Sequence, residues 1–547
     1  MAALAALAAL AVARAASAHA TLEETQPTND SVVPTAPAQV TMRFSEGVET
    51  PFGAVRVYND SLDRVDTGKL LRPARDTVAV SLKSGLGNGT YTVTWRVISA
   101  DSHPVGGAWV FHVGAASAAG KGVAARVLLA NAPTYVSALL TTARLLDFAL
   151  ILGLAGGSIS LVVVLRGLTY ESRRRLLGVL GGLAAALAVV AVAGIVLQGA
   201  KAGGFGLWNA LDWNVLHAVL ETRFGQVWVA EAAAALAIVY LLLAARFPEQ
   251  RILEAPATAA LVLSVLLVLA PAASGHASVS GLFTFVVDVV HVEAAAAWTG
   301  GLLFLLLALR FAEDRWARAR EWVPAFSALA VLSVTVLLVA GVINGYLEVR
   351  TWSGLWETTY GRLLLVKVAL VLPLLALGAY NNRVSVRRIA AGTQSVLDRS
   401  RFLRAVGAEL AIVVAIVAVT AVLVGEPPAK AVVAPTGPYA TDTIIGPYEL
   451  NFVVDPAKTG PNQIHLYLLD RNGQQGKAAE ARVIATLPSA NVGPLRFQGT
   501  LAGPGHFLVQ GAQLPFPGKW TLRLEVRRGK FDLYTKTLEV PIGKGSV

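Results

Sequence analysis

Residues 271–303 read PAASGHASVSGLFTFVVDVVHVEAAAAWTGGLL. One apolar run ends near Ser274, a polar SGHA segment follows, and a second apolar run opens at Leu282. Within that second run Asp288, His291 and Glu293 fall inside six residues, with His276 just upstream. An ionisable group in hydrocarbon costs roughly 3 kcal/mol on insertion scales. Three so close together mark either an ion site or path, or hydrogen bonds that hold neighbouring helices together.

Working outward, the stretch belongs to a series of apolar segments. Eight are long enough to span a bilayer by the criterion of about 20 residues. They lie near 137–165, 175–199, 224–245, 252–273, 283–309, 323–347, 362–382 and 403–425. Of the 547 residues 55% are hydrophobic and only 15% charged, the profile of a polytopic membrane protein with soluble parts attached. The net charge of +11 is no nucleic-acid footprint, because most of the excess sits in short loops between apolar segments. Alternate loops carry sixteen arginines, from Arg166 to Arg404, against four basic residues, Lys201, Arg223, Arg350 and Arg362, in the others. By the positive-inside rule both termini then face outward.

With that orientation, the intramembrane polar groups gather in the outer half of the bundle. Arg144 and Asp147 enter early in the first span, Glu231 in the third, His291 in the fifth and Lys367 in the seventh, while Asn344 lies near the outer exit of the sixth. Arg144 and Asp147, three residues apart, are spaced to pair, and Glu231 is expected to answer Lys367. Asp288 and His291 share a helix face, so Asp288 is placed to orient the imidazole, and Glu293 points elsewhere. His276 and His291 have no evident basic role and are the candidate membrane ligands, with Asp288, Glu293, Glu231 and Asp147 along the path. The outer loop 201–223, with Trp208, Trp213 and His217, reads as an interfacial helix, with a lid as the other option.

The flanks are not membrane. Residues 1–18 read as a secretory signal ending Ala16-Ser17-Ala18, although the usual positive n-region is missing. Cleavage after Ala18 makes His19 the mature N-terminus, whose α-amine and ring Nδ1 can chelate one metal. Residues 19–114 alternate apolar and polar in short runs (QVTMRFS, AVRVYND, TVAVSLK, TYTVTWRVIS, AWVFHVG), which predicts a β-sandwich or barrel. After the fourth run comes Asp101-Ser102-His103-Pro104. Proline extends the residue before it, so Asp101 and His103 can point the same way, and carboxylate plus imidazole suits Cu(II) or Zn. A D-x-H in a loop also serves as a turn cap. Residues 115–136 and 426–445 read as linkers, and 446–547 return to strand patterning, an Ig-like β-sandwich. His465 and His506 look isolated on their strands. The chain has no cysteine and two methionines, Met1 and Met42, so thiolate sites and thiol catalysis are excluded. The fold class is therefore mixed and multidomain: a β-domain, an eight-helix α transmembrane bundle and a second β-sandwich.

Two resemblances sharpen this. His19, then L-x-x-x-x-P from Leu22, F-S-E-x-V at 44–48 and ISADSHPVGGAWVFHVG at 98–114 resemble the extracytoplasmic copper-binding CopC family. The resemblance implies Cu(II) held by His19, Asp101 and His103, and with only Met42 in the domain it implies a Cu(II)-only form, leaving His112 structural or exposed. Residues 137–425 resemble the CopD membrane family through SGHA at 274–277, D-x-x-H-x-x-A-A-A-A-W-x-G-G at 288–301, and T-x-Y-G-R-L-L-L-V-K at 358–367 leading to GAYNN. The C-terminal part resembles YtkA-like domains. Together these imply a multi-pass protein of the cell membrane, with extracytoplasmic termini, that captures Cu(II) outside and passes it to membrane histidines for import, homeostasis or resistance. The resemblance implies extracytoplasmic copper chaperones as partners and no nucleic acid. The resemblance carries no enzymatic activity, and the sequence holds no phosphate-binding loop for primary pumping. The alternatives are a non-transporting copper sensor or buffer, and a membrane oxidoreductase holding one haem on His276 and His291.

Overall fold

The computed structural model describes residues 20, 22–28, 31–50, 55–59, 61, 63–99, 104–114, 133–245, 254–275, 281–313, 315–393, 395–430, 439–470, 476–503, 505–529 and 532–543. In the N-terminal part, alternating side chains along QVTMRF send Val40, Met42 and Phe44 inward and leave Gln39 and Arg43 outside. This strand, β3 (Gln39–Phe44), follows β1 (Leu22–Gln26) and β2 (Val32–Val33) and precedes β4 (Val48–Glu49), β5 (Val55–Tyr58), β6 (Asp66–Ala74), β7 (Thr77–Leu82), β8 (Gly89–Ser99) and β9 (Pro104–Val113). One sheet has the order β1-β3-β7-β6, the other β2-β9-β8-β4 with β5 also on β8. Their facing sides form one core in which Phe44 meets Trp95 edge to face at 5.2 Å.

Sequence alternation identified the central strands but not β1 and β6. Both are sheet edges: LEETQ is almost wholly polar, and β6 contains Pro73, which a central strand would not tolerate. Asp66, at the start of β6, is buried. Arg64 donates to it from Nη2 at 2.7 Å and Nε at 2.9 Å, and the amides of Val57 and Gly68 each donate at 2.9 Å. Burial alone would raise this carboxyl, but Arg64 and the two amides outweigh it and hold Asp66 below the usual carboxylate range.

Eight helices among the described residues are long and apolar enough to cross a membrane. They are α1 (Thr134–Val163), α2 (Tyr170–Gly203), α3 (Arg223–Ala244), α4 (Ala255–Ser274), α5 (Leu282–Phe311), α6 (Arg315–Val349), α7 (Thr359–Ala390) and α8 (Val396–Leu423). Val189, Leu236, Val331 and Leu332 lie exposed on their outer surfaces, as lipid-facing side chains do. α1 is the hub, packing on α2, α4, α5 and α8. Its contact with α5 is backbone on backbone: a Cβ on Gly156 would overlap the Ala296 carbonyl oxygen, and one on Gly300 would overlap that of Leu152. The AAAAWTGG run of α5 is thus a helix joint. Loop 201–223 forms a 3₁₀ turn (Leu207–Leu211) and a short helix (Trp213–Leu220), with Trp208 and Trp213 exposed.

The C-terminal part is a single path of eight antiparallel strands, β10 (Tyr439–Ile445), β11 (Tyr448–Asp455), β12 (Gly460–Leu469), β13 (Glu480–Leu487), β14 (Val492–Gly503), β15 (His506–Leu514), β16 (Gly518–Arg527) and β17 (Leu533–Ile542). Their order is β10-β11-β12-β15-β14-β13-β16-β17. β14 pairs with β13 along its first part and with β15 at its end, so the path bends there into a nearly closed sandwich around Trp520, Phe452 and Phe507. β10 begins inside the stretch 426–445 that reads as a linker, because a hairpin through Gly446 pairs it residue by residue with β11.

Candidate functional site

The polar residues of α5 do not stand alone. Asp288 and His291, three apart, face α6, where Gly341, Asn344 and Glu348 line one side at helical spacing. Asn344 Nδ2 donates to Asp288 Oδ1 at 3.2 Å. One turn along, the His291 ring lies over Gly341: a Cβ there would sit 3.2 Å from the imidazole Cε1. His291 Nδ1 is buried with no hydrogen-bond partner among the described residues, and so are Asn344 Oδ1 and Glu293 Oε2. From α7, Tyr360 and Lys367, seven residues apart on one face, complete the cluster. Lys367 interacts electrostatically with Asp288 and His291, and Tyr360 with Asp288 and Glu348.

Away from the cluster, polar contacts fasten these helices together. α6 and α7 are joined at their other ends, where Asn382 Nδ2 donates to Ser327 Oγ at 2.8 Å. Asn381 ties α7 to α8 by donating to Glu409 Oε1 at 2.6 Å. The backbone there takes a π-helical turn (Asn381–Val386), a form that recurs at functional sites. GAYNN is therefore a clamp. Toward the cluster, Leu364 also approaches α6, 3.8 Å from where a Cβ on Gly345 would lie. In the T-x-Y-G-R segment Thr358 caps α7, accepting from Gly361 N at 2.9 Å, and Gly361 admits the neighbouring helix Trp352–Glu357.

A second polar group lies between α1 and α3, and it corrects an expectation. Glu231 does not answer Lys367; it interacts with Asp147, with Arg144 close by. Both are 3% exposed, and Asp147 Oδ1 and Glu231 Oε1 have no hydrogen-bond partner among the described residues. Opposite charge suggested the other pairing, but α3 packs on α2 and α4, whereas α7 packs on α8.

In the N-terminal domain, His19, Asp101 and His103 lie outside the described residues, as does His276 of the membrane region. The strands that lead to them are described. Leu22, three residues after His19, pairs with Phe44, and Ser99, two residues before Asp101, pairs with Val48. Phe44 and Val48 bound the F-S-E-x-V segment, so the beginning of β1 and the end of β8 are tied to the two ends of one five-residue stretch. Across from β8, Ile98 pairs with Pro104, and Gly106 and Gly107 let β9 run against Trp95, where a Cβ on Gly107 would come within 2.8 Å of the indole. Met42 is fully buried in the core, and His112 is buried with Nδ1 2.9 Å from Thr90 Oγ1. His465 and His506 are not isolated, as their strands suggested: β12 and β15 are neighbours and bring the two rings together.

Residue type and spacing pointed to Asp288 and His291, Asn344 stood out as an intramembrane polar group, and Tyr360 and Asn381 lay inside quoted motifs, but Glu348 and Glu409 carried no such mark. The signal that could have found them is helical phase: Gly341, Asn344 and Glu348 share a face, as do Tyr360 and Lys367.

Comparisons with known proteins follow the same division. Family models match at residues 22–114 (CopC domain), 135–284 (Copper resistance protein D-like, N-terminal domain) and 320–423 (Copper resistance protein D). The Copper transport protein CutJ of Bacillus subtilis (strain 168) is 29% identical over 540 residues, 95% of this chain and 96% of that protein. The Inner membrane protein YebZ of Escherichia coli (strain K12) is 30% identical over 37% of this chain and 68% of its own length. Protein YobA of the same organism is 36% identical over 20% of this chain and 91% of its own length. With its β-domain, its eight membrane helices and these relatives, the chain belongs to the CopC and CopD copper-resistance families, joined in one multi-pass membrane protein.

Proposed function

We propose that this chain captures Cu(II) on the outer side of the cell membrane and passes copper into its membrane domain for import or homeostasis. His19, Asp101 and His103 hold the ion in the N-terminal domain, the first as a terminal chelate. His291 receives it in the bundle, with Asp288 orienting the ring and Lys367 setting the local charge; His276 is the second ligand. Both termini and the α5–α6–α7 cluster lie on the outer side in this reading, supported by the arginine-rich alternate loops. The observation that supports it is the pairing of Leu22 with Phe44 and of Ser99 with Val48, which ties the strands next to the candidate ligands to the two ends of one five-residue stretch. The membrane step is supported by the buried, unpartnered Nδ1 of His291. Movement against a gradient draws on the membrane potential, about 2.3 kcal/mol per charge at 100 mV.

The test is Cu(II) titration of the full chain with His19 at its terminus against the same chain with one residue added before it. Affinity is expected to fall at least about 100-fold on extension, since a chelating amine and ring are lost together; equal affinity removes His19 from the site. Copper accumulation in cells then separates transport from buffering. His291→Ala is expected to lower it to the level of cells lacking the protein, and unchanged accumulation would favour the buffer.

A further inference from the structure

The outer face of one C-terminal sheet holds two imidazoles that meet head-on. Along β12, Ile464, Leu466 and Leu468 enter the sandwich core, so His465 and Tyr467 point the other way. They are nevertheless only 4% and 9% exposed. On β15, His506 is the direct partner of Tyr467 and is 8% exposed. His465 Nδ1 and His506 Nε2 stand 3.1 Å apart. Their ring centroids are 5.3 Å apart and the planes within 12°. A centroid separation so much longer than the nitrogen separation places the rings edge to edge, with the two nitrogens between them. Tyr467 stacks on His506 at 4.2 Å and brings its hydroxyl to 3.4 Å from His465 Nδ1. Asp455 of β11 lies on the same outer face, as the pairing of Val453 with His465 requires, and its carboxyl interacts with the His465 ring.

Two neutral imidazoles hold this arrangement with one N–H between them. The same arrangement suits a metal ion that takes two ligands in line. Metal–imidazole bonds are about 2.0 Å long, so facing nitrogens then stand about 4 Å apart. The gap must open by a little under about 1 Å. His506 is well placed to yield, because it is the first residue of β15 and follows Gly505, whose φ of 68° lies in the left-handed region. Among the described residues no group of three or more His, Cys, Asp or Glu is arranged to hold a metal. An ion that wants four protein ligands is therefore poorly served here, and one content with two is well served.

We infer that His465 and His506 form a two-coordinate site for a soft monovalent cation, Cu(I) or its analogue Ag(I). On binding, the proton between the rings moves to the far nitrogen of the imidazole that carried it, so two neutral rings face the ion and no electron is transferred. Asp455 supplies the nearby negative charge and Tyr467 fixes the His506 plane. That copper is the natural occupant rests on the copper-handling reading above.

The test uses the full chain in detergent and Ag(I) as a redox-inert probe, counted by equilibrium dialysis. The wild-type protein is expected to bind one Ag(I) more than His506→Gln. The double variant His465→Met/His506→Met is expected to recover that ion, since thioethers also take soft cations. Cu(II) binding should be equal in all three. An unchanged silver count in His506→Gln overturns the site, as does a methionine pair that recovers nothing. Protein labelled with 15N-histidine probes the pair without a substitution: two ring nitrogens coupled to each other before loading should be split by silver after it, and the site falls if they are not. Absence of Cu(II) binding in every variant would instead count against the N-terminal capture site while leaving the silver difference intact.

Discussion

The two β-sandwiches of this chain satisfy their buried histidines in different ways. In the N-terminal one, His112 on β9 faces its direct cross-strand partner Thr90, ring nitrogen to hydroxyl at 2.9 Å. In the C-terminal one, His465 faces a second imidazole at 3.1 Å. Burial demands a partner in both cases. A threonine hydroxyl completes a hydrogen bond and nothing more, whereas a second imidazole leaves a pair of nitrogen donors aimed at one point. The chemistry follows from what satisfies the histidine, not from its burial. A second difference accompanies the first: the N-terminal candidate ligands lie in chain that adjoins strand ends, while the C-terminal pair is set by the register of two neighbouring strands, β12 and β15.

Three substitutions press on that contrast. The largest effect is expected of Trp520→Ala. The indole is fully buried in the C-terminal core and donates to the Phe516 carbonyl at 2.9 Å, so its loss should cost about 3–5 kcal/mol. Thermal unfolding should shift down and the extra silver ion should disappear with the sheet that holds the pair; silver retained by a melted sandwich would break the comparison. Next comes Asp66→Asn, expected to cost about 2 kcal/mol by weakening charge-assisted bonds, with Cu(II) affinity unchanged. Its pH signature has a definite sign. The Asp66 carboxyl titrates lower in the folded state than in the unfolded chain, where it titrates near 4. Its contribution is therefore fully present above about pH 4 and is lost as pH falls through the lowered folded value. Melting followed from pH 7 to pH 3 should show a steeper acid-side decline in the wild type than in the variant. The smallest effect is expected of Thr90→Val, about 1 kcal/mol for the bond to His112. Copper and silver stoichiometries should both stay put, and any metal lost would show that His112 is more than a packing residue.

What the sequence disclosed depended on how local each feature is. The eight spans were legible because hydropathy is a property of a segment and needs no knowledge of its neighbours. Val40, Met42 and Phe44 were legible because inward alternation is likewise local. β1 and β6 were hidden, since edge strands with polar or proline-bearing sequences lose that alternation. The Asp288–His291 face could be read from a spacing of three, but its partners Asn344 and Lys367 come from other helices. The expected Glu231–Lys367 pair failed for the same reason: charge sign says that a partner is needed and not which helix brings it. His465 and His506, 41 residues apart, become a pair only through the register of β12 on β15. Motif residues carried the opposite surprise, for Gly300 and Gly301, Asn381 and Asn382 all lie where helices are joined.

The burial of Met42 has a chemical consequence for the lifetime of the chain. It is the sole thioether beyond Met1, there is no cysteine, and Met42 is sealed in the core of β3. Past Met1 no sulfur is therefore offered to peroxide, neither a thiolate to climb to sulfenic and sulfinic acid nor a surface thioether to become sulfoxide. A protein of a copper-resistance family works beside an ion whose redox cycling generates such oxidants. This one meets them with imidazole, carboxylate and hydroxyl groups outside and its sulfur shielded, so oxidative wear must begin somewhere other than at sulfur.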